Sequence, residues 1–125
     1  MLDDGAPIFS QIADRLADAI AEGTLVEGDQ VPSTTELAAF YRINPATAAK
    51  GINVLSDRGL VEKRRGIGMF VAAGAQARLL DERRRRFAER YVEPMVTEAT
   101  RLGIDVDTLT VMIRESEHIQ GGIKV

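Results

Sequence analysis

The sequence has 125 residues, enough for one ordinary domain with a small appendage and too few for a second, enzymatic domain. It contains no cysteine, which excludes a disulfide framework and a thiolate metal site, and it shows no signal-like N-terminus and no apolar run of about 18 residues, so we expect a soluble, cytoplasmic protein. The net charge of −3 and the pI near 5.2 disfavour a nucleic-acid partner for the chain taken as a whole.

The acidic and basic side chains are, however, separated along the sequence. Residues 1–41 hold eight acids and one arginine, a net charge of −7, and residues 42–65 hold six basic and two acidic side chains, a net charge of +4. Exposed charges more than about 8 Å away are largely screened at physiological salt, so acidic flanks lower non-specific affinity and leave local phosphate contacts in place. Residues 42–65 therefore remain compatible with a nucleic-acid partner.

The first predicted element is a helix of about four turns that ends near Gly23. Apolar residues repeat along it at intervals of three and four: Phe9, Ile12, Ala13, Leu16, Ala17 and Ile20. We expect this apolar stripe to support the next two helices. Residues 28–31 are expected to supply a short strand beside a later hairpin.

A second helix is predicted to start after Pro32. Ser33 and Glu36 have the spacing of a capping box, in which the hydroxyl accepts from the Glu36 amide and the carboxylate accepts from the Ser33 amide. The helix is expected to end near Arg42 and Ile43. Its inner side carries Leu37, Ala38 and either Phe40 or Tyr41.

A third helix is predicted from Pro45 to about Arg58. Asn44 is a preferred N-cap, Pro45 stands where no amide hydrogen is needed, and Gly59 suits a left-handed C-cap. The inner stripe is formed by Ala48, Gly51 or Ile52, and Leu55. The outer face is formed by Ala46, Thr47, Ala49, Lys50 and Asn53. These outer side chains are short, polar or basic, so the helix backbone can approach base edges in a major groove.

Two strand-like runs follow at residues 60–64 and 69–71. Gly66 and Gly68 lie between them and can adopt the positive φ angles that a tight hairpin requires. Arg64 and Arg65 lie at the predicted tip, where a wing would meet phosphate or the minor groove. Residues 6–73 are therefore predicted to form a winged helix-turn-helix DNA-binding domain, and the fold class is mainly α with a small β-hairpin.

A broad apolar face is predicted on a helix from about residue 76 to residue 102, which Gly103 ends. The face contains Leu79, Leu80, Phe87, Ala88, Tyr91, Val92, Met95, Val96, Ala99 and Leu102. Pro94 removes one amide from this helix, so a kink is expected there. Asp105 can cap a last helix with a further apolar face. That face is formed by Leu109, Met112 and Ile113.

Two helices cannot enclose this much apolar surface, because a pair has only one mutual face. A second copy of the chain is the expected partner, which makes residues 75–118 a two-helix dimerisation domain. The predicted dimer interface consists of Phe87, Tyr91, Val92, Met95, Val96, Leu109 and Ile113. Residues 119–125 are expected to form a tail.

Other features of the C-terminal part allow more than one interpretation. The run Arg83–Arg86 could contact nucleic acid, but acidic neighbours at helical spacing favour a solvated, salt-bridged surface. His118, the only histidine, has too few neighbouring ligands for a metal site, so neither a metal nor another cofactor is expected. Tyr91 and Met95 could line a small-molecule pocket, although such spacing is more often packing. An effector would bind at the dimer interface or between the domains.

Two other classes of function compete with DNA binding. Winged helices also occur in domains that bind only proteins, so a protein–protein docking adaptor without DNA binding is the alternative hypothesis. An enzyme is disfavoured, because the sequence shows no nucleophile–base pair, no phosphate-cradling motif and no metal cluster.

Three segments resemble the GntR family of bacterial transcription regulators: G-D-Q-V-P-S-T-T-E-L-A, I-N-P-A-T-A-A-K and L-S-D-R-G-L-V-E-K-R-R-G-I-G-M-F-V. The N-P-A-T form, the opening A-P-I-F-S-Q-I and the short helical C-terminal part resemble its short YtrA-type branch. The resemblance covers residues 6–73 closely and residues 75–117 more loosely. It implies a homodimer that binds a pseudo-palindromic operator, usually as a repressor and often of operons that include ABC transporters.

The resemblance also implies which residues contact DNA. By position they are Thr34 and Thr35 in the second helix, Asn44, Pro45, Ala46, Thr47, Ala49 and Lys50 in the third, and Arg65 and Gly66 in the wing. Where many members have arginine this sequence has Thr35, Pro45 and Ala49, whereas Lys50 matches a basic residue common in the short branch. The loss of bidentate arginine–guanine contacts, each worth about 1–3 kcal/mol, changes the operator sequence and the affinity to be expected.

Overall fold

The computed structural model describes residue 2 and residues 5–119, with the exception of the Ile119 side chain. Within these residues the order is α1 (Ile8–Glu22), α2 (Thr34–Tyr41), α3 (Pro45–Asp57), β1 (Val61–Arg64), β2 (Gly68–Val71), α4 (Ala75–Phe87), a π-helical turn (Ala88–Val92), α5 (Glu93–Arg101) and α6 (Val106–Ile119). The predicted fold class, mainly α with a small β-hairpin, is confirmed. Ile119, the first residue of the predicted tail, is the last residue of α6, and residues 120–125 lie outside the described part.

The helix-turn-helix begins where the local signals predict. The Ser33 hydroxyl accepts from the Glu36 amide at 3.1 Å and the Glu36 carboxylate accepts from the Ser33 amide at 3.0 Å, so the capping box at α2 is formed. The side-chain oxygen of Asn44 accepts from the Ala46 amide at 2.8 Å and caps α3. Just beyond α3, Gly59 has a φ of 71°, the left-handed conformation expected of it.

The capping box makes the stability of α2 depend on pH. Hydrogen bonds from the Ser33 amide and then the Ser33 side chain lower the pKa of the Glu36 carboxyl from its ordinary value of 4.5. Because folding lowers this pKa, the stabilisation is complete above pH 4.5 and is lost as the pH falls through the lowered value. We expect the difference in unfolding free energy between the wild type and Glu36→Gln to be largest at neutral pH and to close in acid. Urea unfolding over a pH series measures this difference, and a constant difference would contradict the prediction.

The core of the first part of the chain lies between α1, α2, α3, the hairpin and the first turns of α4. Its largest fully buried side chains are Ile12, Ile20, Leu55, Leu60, Leu79 and Val71. The predicted stripe of α1 is buried except for Phe9, which is half-buried. In α2 the inward aromatic residue is Tyr41, because Phe40 is 65% exposed. In α3 both candidates for the inner stripe, Gly51 and Ile52, are buried.

α1 and α3 approach each other closely at Gly51. A Cβ atom added there would lie 3.0 Å from the carbonyl oxygen of Phe9 and 3.2 Å from Cγ2 of Ile12. These distances are shorter than ordinary van der Waals contact, so the two helices can be this close only because residue 51 has no side chain. The contact fixes which face of α3 is turned towards the core and which is turned outwards.

β1 and β2 pair antiparallel, with Arg64 opposite Gly68. Residues 28–31 join this hairpin as predicted, but through an isolated bridge between Gln30 and Phe70 and not as a regular strand. The amide of Val31 also donates to a carbonyl of β2 at 2.8 Å. The wing is thereby tied to the segment that leads into α2.

The predicted long C-terminal helix is interrupted before Pro94. α4 passes into the π-helical turn, and α5 carries Pro94 in its first turn. Proline supplies no amide to the helix ladder, and π-turns occur where that ladder is disturbed. After α5, Gly103 has a φ of 73°, and the Asp105 carboxylate accepts from the Thr108 amide at 2.8 Å. The predicted cap of α6 is therefore confirmed.

The chain divides into two compact units, the first reaching Arg83 and the second starting at Arg84. This boundary lies inside α4, beyond the predicted domain limits at residues 73 and 75. The reason is packing: Ala75 and Leu79 are each only 1% exposed and belong to the core of the first unit. Leu79 was predicted to lie on the apolar face of the C-terminal part, and that assignment is corrected.

Candidate nucleic-acid interface

The residues predicted to contact DNA are all accessible at the surface of the first unit. Those that are exposed are Thr35, Asn44, Pro45, Ala46, Lys50, Asn53, Arg64, Arg65 and Gly66, and those that are half-buried are Thr34, Thr47 and Ala49. They lie on three elements, namely the first turn of α2, the turn into α3 with its outer face, and the hairpin. The sequence-based choice of face for α3 is thus consistent with the burial of its side chains.

The N-terminus of α3 has features that favour binding of an anion. The Asn44 side chain is fixed by its hydrogen bond to the Ala46 amide at 2.8 Å, and Pro45 occupies the first helical position. The first turn of α3 contains no acidic residue. The partial positive charge of the helix N-terminus is therefore not offset by a carboxylate on its own first turn, which favours a nearby phosphate.

The wing tip and the start of α2 lie next to each other. Thr34, Gln30, Ile67 and Gly68 are among the residues that line one cavity of about 200 Å³. The Gln30 side-chain amide donates to the carbonyl oxygen of Ile67 at 3.0 Å. Gly68 has a φ of 140°, and a Cβ atom added to it would lie 2.7 Å from Nε2 of Gln30. Gln30 thus fixes the hairpin loop, a role that its position in a short strand did not reveal.

The basic side chains of residues 42–65 differ in their partners. Arg58 pairs with Glu82 of α4, with 3.0 Å between Nη2 and Oε1, so its charge is offset within the first unit. Lys50 and Arg64 lie instead over aromatic rings, each with its cationic group 4.1 Å from a ring centroid. A ring attracts a cation without neutralising it, so both charges can still attract phosphate.

The rings in question belong to Phe9, beneath Lys50, and Phe70, beneath Arg64. The sequence assigned Phe9 to the apolar stripe of α1 and did not connect either phenylalanine with DNA binding. Phe9 and Lys50 lie far apart in the chain, and Arg64 and Phe70 lie on different strands of the hairpin, so neither contact gives a periodic signal. It becomes visible only when α1 is packed against α3 and β1 against β2.

Arg83, the first residue of the arginine run and the last residue of the first unit, forms an ion pair. Nη2 of Arg83 lies 2.6 Å from Oδ1 of Asp18 on α1. Salt bridging was predicted for this run, but with acidic neighbours on its own helix. The Arg83 pair supports a solvated, salt-bridged surface over a second DNA site, and it adds a partner on α1.

The second unit contains the residues predicted to form the dimer interface. Among its described residues Ala99 alone is buried. Of the predicted dimer residues, Phe87, Tyr91, Val96 and Ile113 are exposed, and Val92, Met95 and Leu109 are half-buried. The rings of Phe87 and Tyr91 lie 5.6 Å apart. The interface prediction did not include four other exposed apolar residues, Leu102, Val106, Val111 and Met112. This unit therefore presents apolar surface and has almost no core of its own.

The described residues show neither a metal site nor a membrane span. Nowhere among them do three or more histidine, cysteine, aspartate or glutamate side chains come together so that they could hold a metal ion. The helices in the same residues lack the combination of length and apolar character that crossing a bilayer requires. His118 is exposed near the end of α6.

Residues 9–71, from α1 to the end of β2, match the gntR family of bacterial regulatory proteins. The chain belongs to the GntR family. The match spans every element that carries a predicted DNA-contacting residue, and it confirms the family resemblance of the sequence. A GntR regulator is a transcriptional regulator with a winged helix-turn-helix and not an enzyme.

Similarity to other GntR regulators extends beyond the winged domain. The transcriptional repressor YtrA of Bacillus subtilis (strain 168) is 29% identical over 119 residues, which are 94% of this chain and 91% of YtrA. The regulator YhcF of the same organism is 33% identical over 98 residues, 78% of this chain and 79% of YhcF. The crystal structure of a GntR-family transcriptional regulator from Bacteroides thetaiotaomicron, 31% identical, has a TM-score of 0.72 and covers 90% of this chain and 98% of that one.

Proposed function

We propose that this GntR-family chain is a homodimeric repressor that acts in the cytoplasm by binding a pseudo-palindromic DNA operator. In the proposed complex α3 lies in the major groove, the hairpin contacts the flanking backbone, and the second units join the two copies. The observation that carries the proposal is the outward face of α3, which begins at a capped, acid-free helix terminus and presents small and polar side chains. Repression is inferred from the similarity to YtrA.

The chemistry of α3 suits a major groove. Ala46 and Ala49 are small, so the helix backbone can come close to the bases, and Thr47 and Asn53 carry groups that donate and accept hydrogen bonds. The amide-rich start of the helix attracts phosphate. Direct base contacts are thus assigned to residues of α3.

The remaining predicted residues suit contacts to the backbone. Thr34 and Thr35 lie in the first turn of α2, where their hydroxyl groups can donate to phosphate oxygens. Arg65 and Gly66 lie in the loop between β1 and β2, where a cation and a residue without a side chain allow close approach to the duplex. These contacts position α3 and carry no sequence information themselves.

The exposed apolar surface of the second unit is the evidence for the proposed dimer. Among the described residues of this unit one is buried and many apolar side chains are exposed, so we infer that the unit gains a core by association. A second copy is the partner that a closed two-fold assembly supplies. With two-fold symmetry, two α3 helices reach half-sites whose centres lie about one helical turn apart, ~10 bp.

The test is a selection of genomic DNA fragments by the purified protein, repeated at two salt concentrations and followed by footprinting. We expect enrichment of fragments with an inverted repeat, weaker binding at the higher salt, and a dimer in sedimentation at micromolar concentration. A footprint without inverted symmetry or a monomer at this concentration would contradict the proposal. The absence of any bound fragment would favour the protein-docking adaptor.

Lys50 and Arg65 are the cations proposed to contact phosphate from α3 and from the wing. We expect Lys50→Ala with Arg65→Ala to weaken binding to the selected fragment by about 10- to 30-fold and to reduce the slope of log affinity against log salt by about two, because two phosphate contacts are removed. Fluorescence anisotropy at several salt concentrations measures both quantities. Arg101→Ala is the matched control, since it removes an exposed charge from the second unit, and it should leave the slope unchanged. An unchanged slope in the double variant would contradict the assigned roles.

A further inference from the structure

Two cations of the proposed DNA-contacting surface lie over aromatic rings. The proposed function assigns no role to these rings. Nζ of Lys50 lies 4.1 Å from the ring centroid of Phe9, and Cζ of Arg64 lies 4.1 Å from that of Phe70. Both distances are well within the range of about 6 Å in which a ring attracts a cation. One pair joins α3 to α1, and the other joins the two strands of the wing.

Each pair lies beside a glycine. Gly51 brings the backbone of α1 against α3 at Phe9, and this contact carries the Phe9 ring to the neighbouring Lys50. In the wing, Arg64 stands opposite Gly68, and its guanidinium lies over Phe70, the diagonal neighbour on the same face. Both arrangements are contacts within the first unit itself.

The position of Lys50 suggests what it contacts. Phe9 belongs to α1, which packs against the inner side of α3, so an ammonium group over its ring lies on the flank of α3 towards α1. Lys50 shares the outer face of α3 with Ala46 and Asn53, and its side chain reaches from that face towards α1. A long cationic side chain at the flank of a groove-binding helix suits the phosphates that border the groove and not the base edges at its floor.

We propose that Phe9 and Phe70 are positioning residues that hold Lys50 and Arg64 as phosphate clamps, one on the recognition helix and one on the wing. The clamps add affinity for any duplex, and the discrimination between sequences is left to the short side chains of α3. This inference rests on the DNA-binding function proposed above. Its physical basis is preorganisation, because a side chain already held in place loses less conformational freedom on binding.

The roles of the ring and the charge can be separated experimentally. Removing the Lys50 charge reduces both affinity and salt slope, whereas removing the Phe9 ring reduces affinity and leaves the charge, and therefore the slope, in place. The experiment measures the wild type, Phe9→Leu, Lys50→Ala and the double variant in the full chain. The probes are the selected genomic duplex and a mixed-sequence duplex of the same length, each titrated at several salt concentrations.

We expect Phe9→Leu to weaken binding by about two- to five-fold on both duplexes, with an unchanged salt slope. In the Lys50→Ala background the same substitution should have no further effect, and Phe9→Tyr, which keeps a ring, should bind like the wild type. In the free protein, the ring current of Phe9 should shift the Lys50 side-chain NMR signals, and Phe9→Leu should remove that shift. Arg64→Ala tests the wing, since Phe70 is buried and its replacement would disturb the hairpin. Arg64→Ala should lower the affinity for both duplexes by the same factor.

Other outcomes would overturn the inference. An equal loss in the Lys50→Ala background would show that Phe9 acts through the fold and not through the cation. Tighter binding by Phe9→Leu would show that the ring withholds the amine from DNA. A loss confined to the selected duplex would assign Lys50 to a base. A wild type that binds neither duplex would defeat the proposed function itself, whereas wild-type binding with an unaffected Phe9→Leu would defeat only this inference.

Discussion

We expect Val96→Glu to convert the proposed dimer into monomers and to weaken operator binding by about 100-fold or more. Val96 is 48% exposed on α5, in a unit whose only buried residue among those described is Ala99. Two-fold symmetry introduces the substitution from both copies, so the variant places two like charges in one apolar interface. Each winged domain then binds its half-site without the high effective concentration that the partner provides. Sedimentation equilibrium measures the first effect, and titration of the selected duplex measures the second.

A matched control introduces the same charge elsewhere. Phe40 on α2 is a large apolar residue that is 65% exposed, and Phe40→Glu should leave the protein dimeric. If Val96→Glu also stays dimeric and binds as the wild type does, the apolar surface of the second unit is not the interface. A monomeric Val96→Glu with full affinity would show that paired binding is not required.

The elements that the sequence predicts correctly are those with local causes. Ser33 and Glu36 lie within one helical turn, and Asn44 and Pro45 are adjacent, so each helix start is encoded by neighbouring residues whose hydrogen bonds form as expected. The outer face of α3 follows from a repeat that all of its buried residues obey. Local capping and periodicity therefore suffice to locate the three helices and the surface proposed to contact DNA.

The features that the sequence does not reveal depend on contacts between distant segments. Leu79 has the same periodicity as the apolar residues after it, and nothing local shows that it packs into the first unit. Asp18 and Arg83 form an ion pair across 65 positions of sequence. Likewise, Gln30 is connected with the wing only through its hydrogen bond to Ile67. A helical repeat shows that one face of a helix is buried, but it does not show which distant segment packs against that face.

Because α1 and α3 approach closely at Gly51, a larger side chain at this position should strongly lower the stability of the protein. We expect Gly51→Val to lower the free energy of unfolding by about 2–3 kcal/mol, because a branched side chain at this crossing overlaps neighbours that already lie 3.0 Å and 3.2 Å from the position of a Cβ atom. The nearer neighbour is the backbone carbonyl of Phe9, which cannot rotate away as a side chain can. Urea unfolding of both proteins measures the change. Asn53→Val is the control, because it places the same residue on the exposed face of α3 and tests helix propensity alone.

Gly51→Ala should have a much smaller effect, since the gain of about 1 kcal/mol in helix propensity opposes a contact that a shift of a few tenths of an ångström relieves. The graded series also tests the link between packing and DNA binding. If Gly51 holds α1 against α3, then Gly51→Val displaces Phe9 from Lys50, and the chain that remains folded at low temperature should bind both duplexes more weakly with an unchanged salt slope. Stability and affinity would then both fall in Gly51→Val. In Phe9→Leu only the affinity would fall, because the ring is lost and the helix crossing remains. A Gly51→Val protein as stable as Asn53→Val would show that α1 can retreat from α3 without loss, and it would contradict the need for glycine at this crossing.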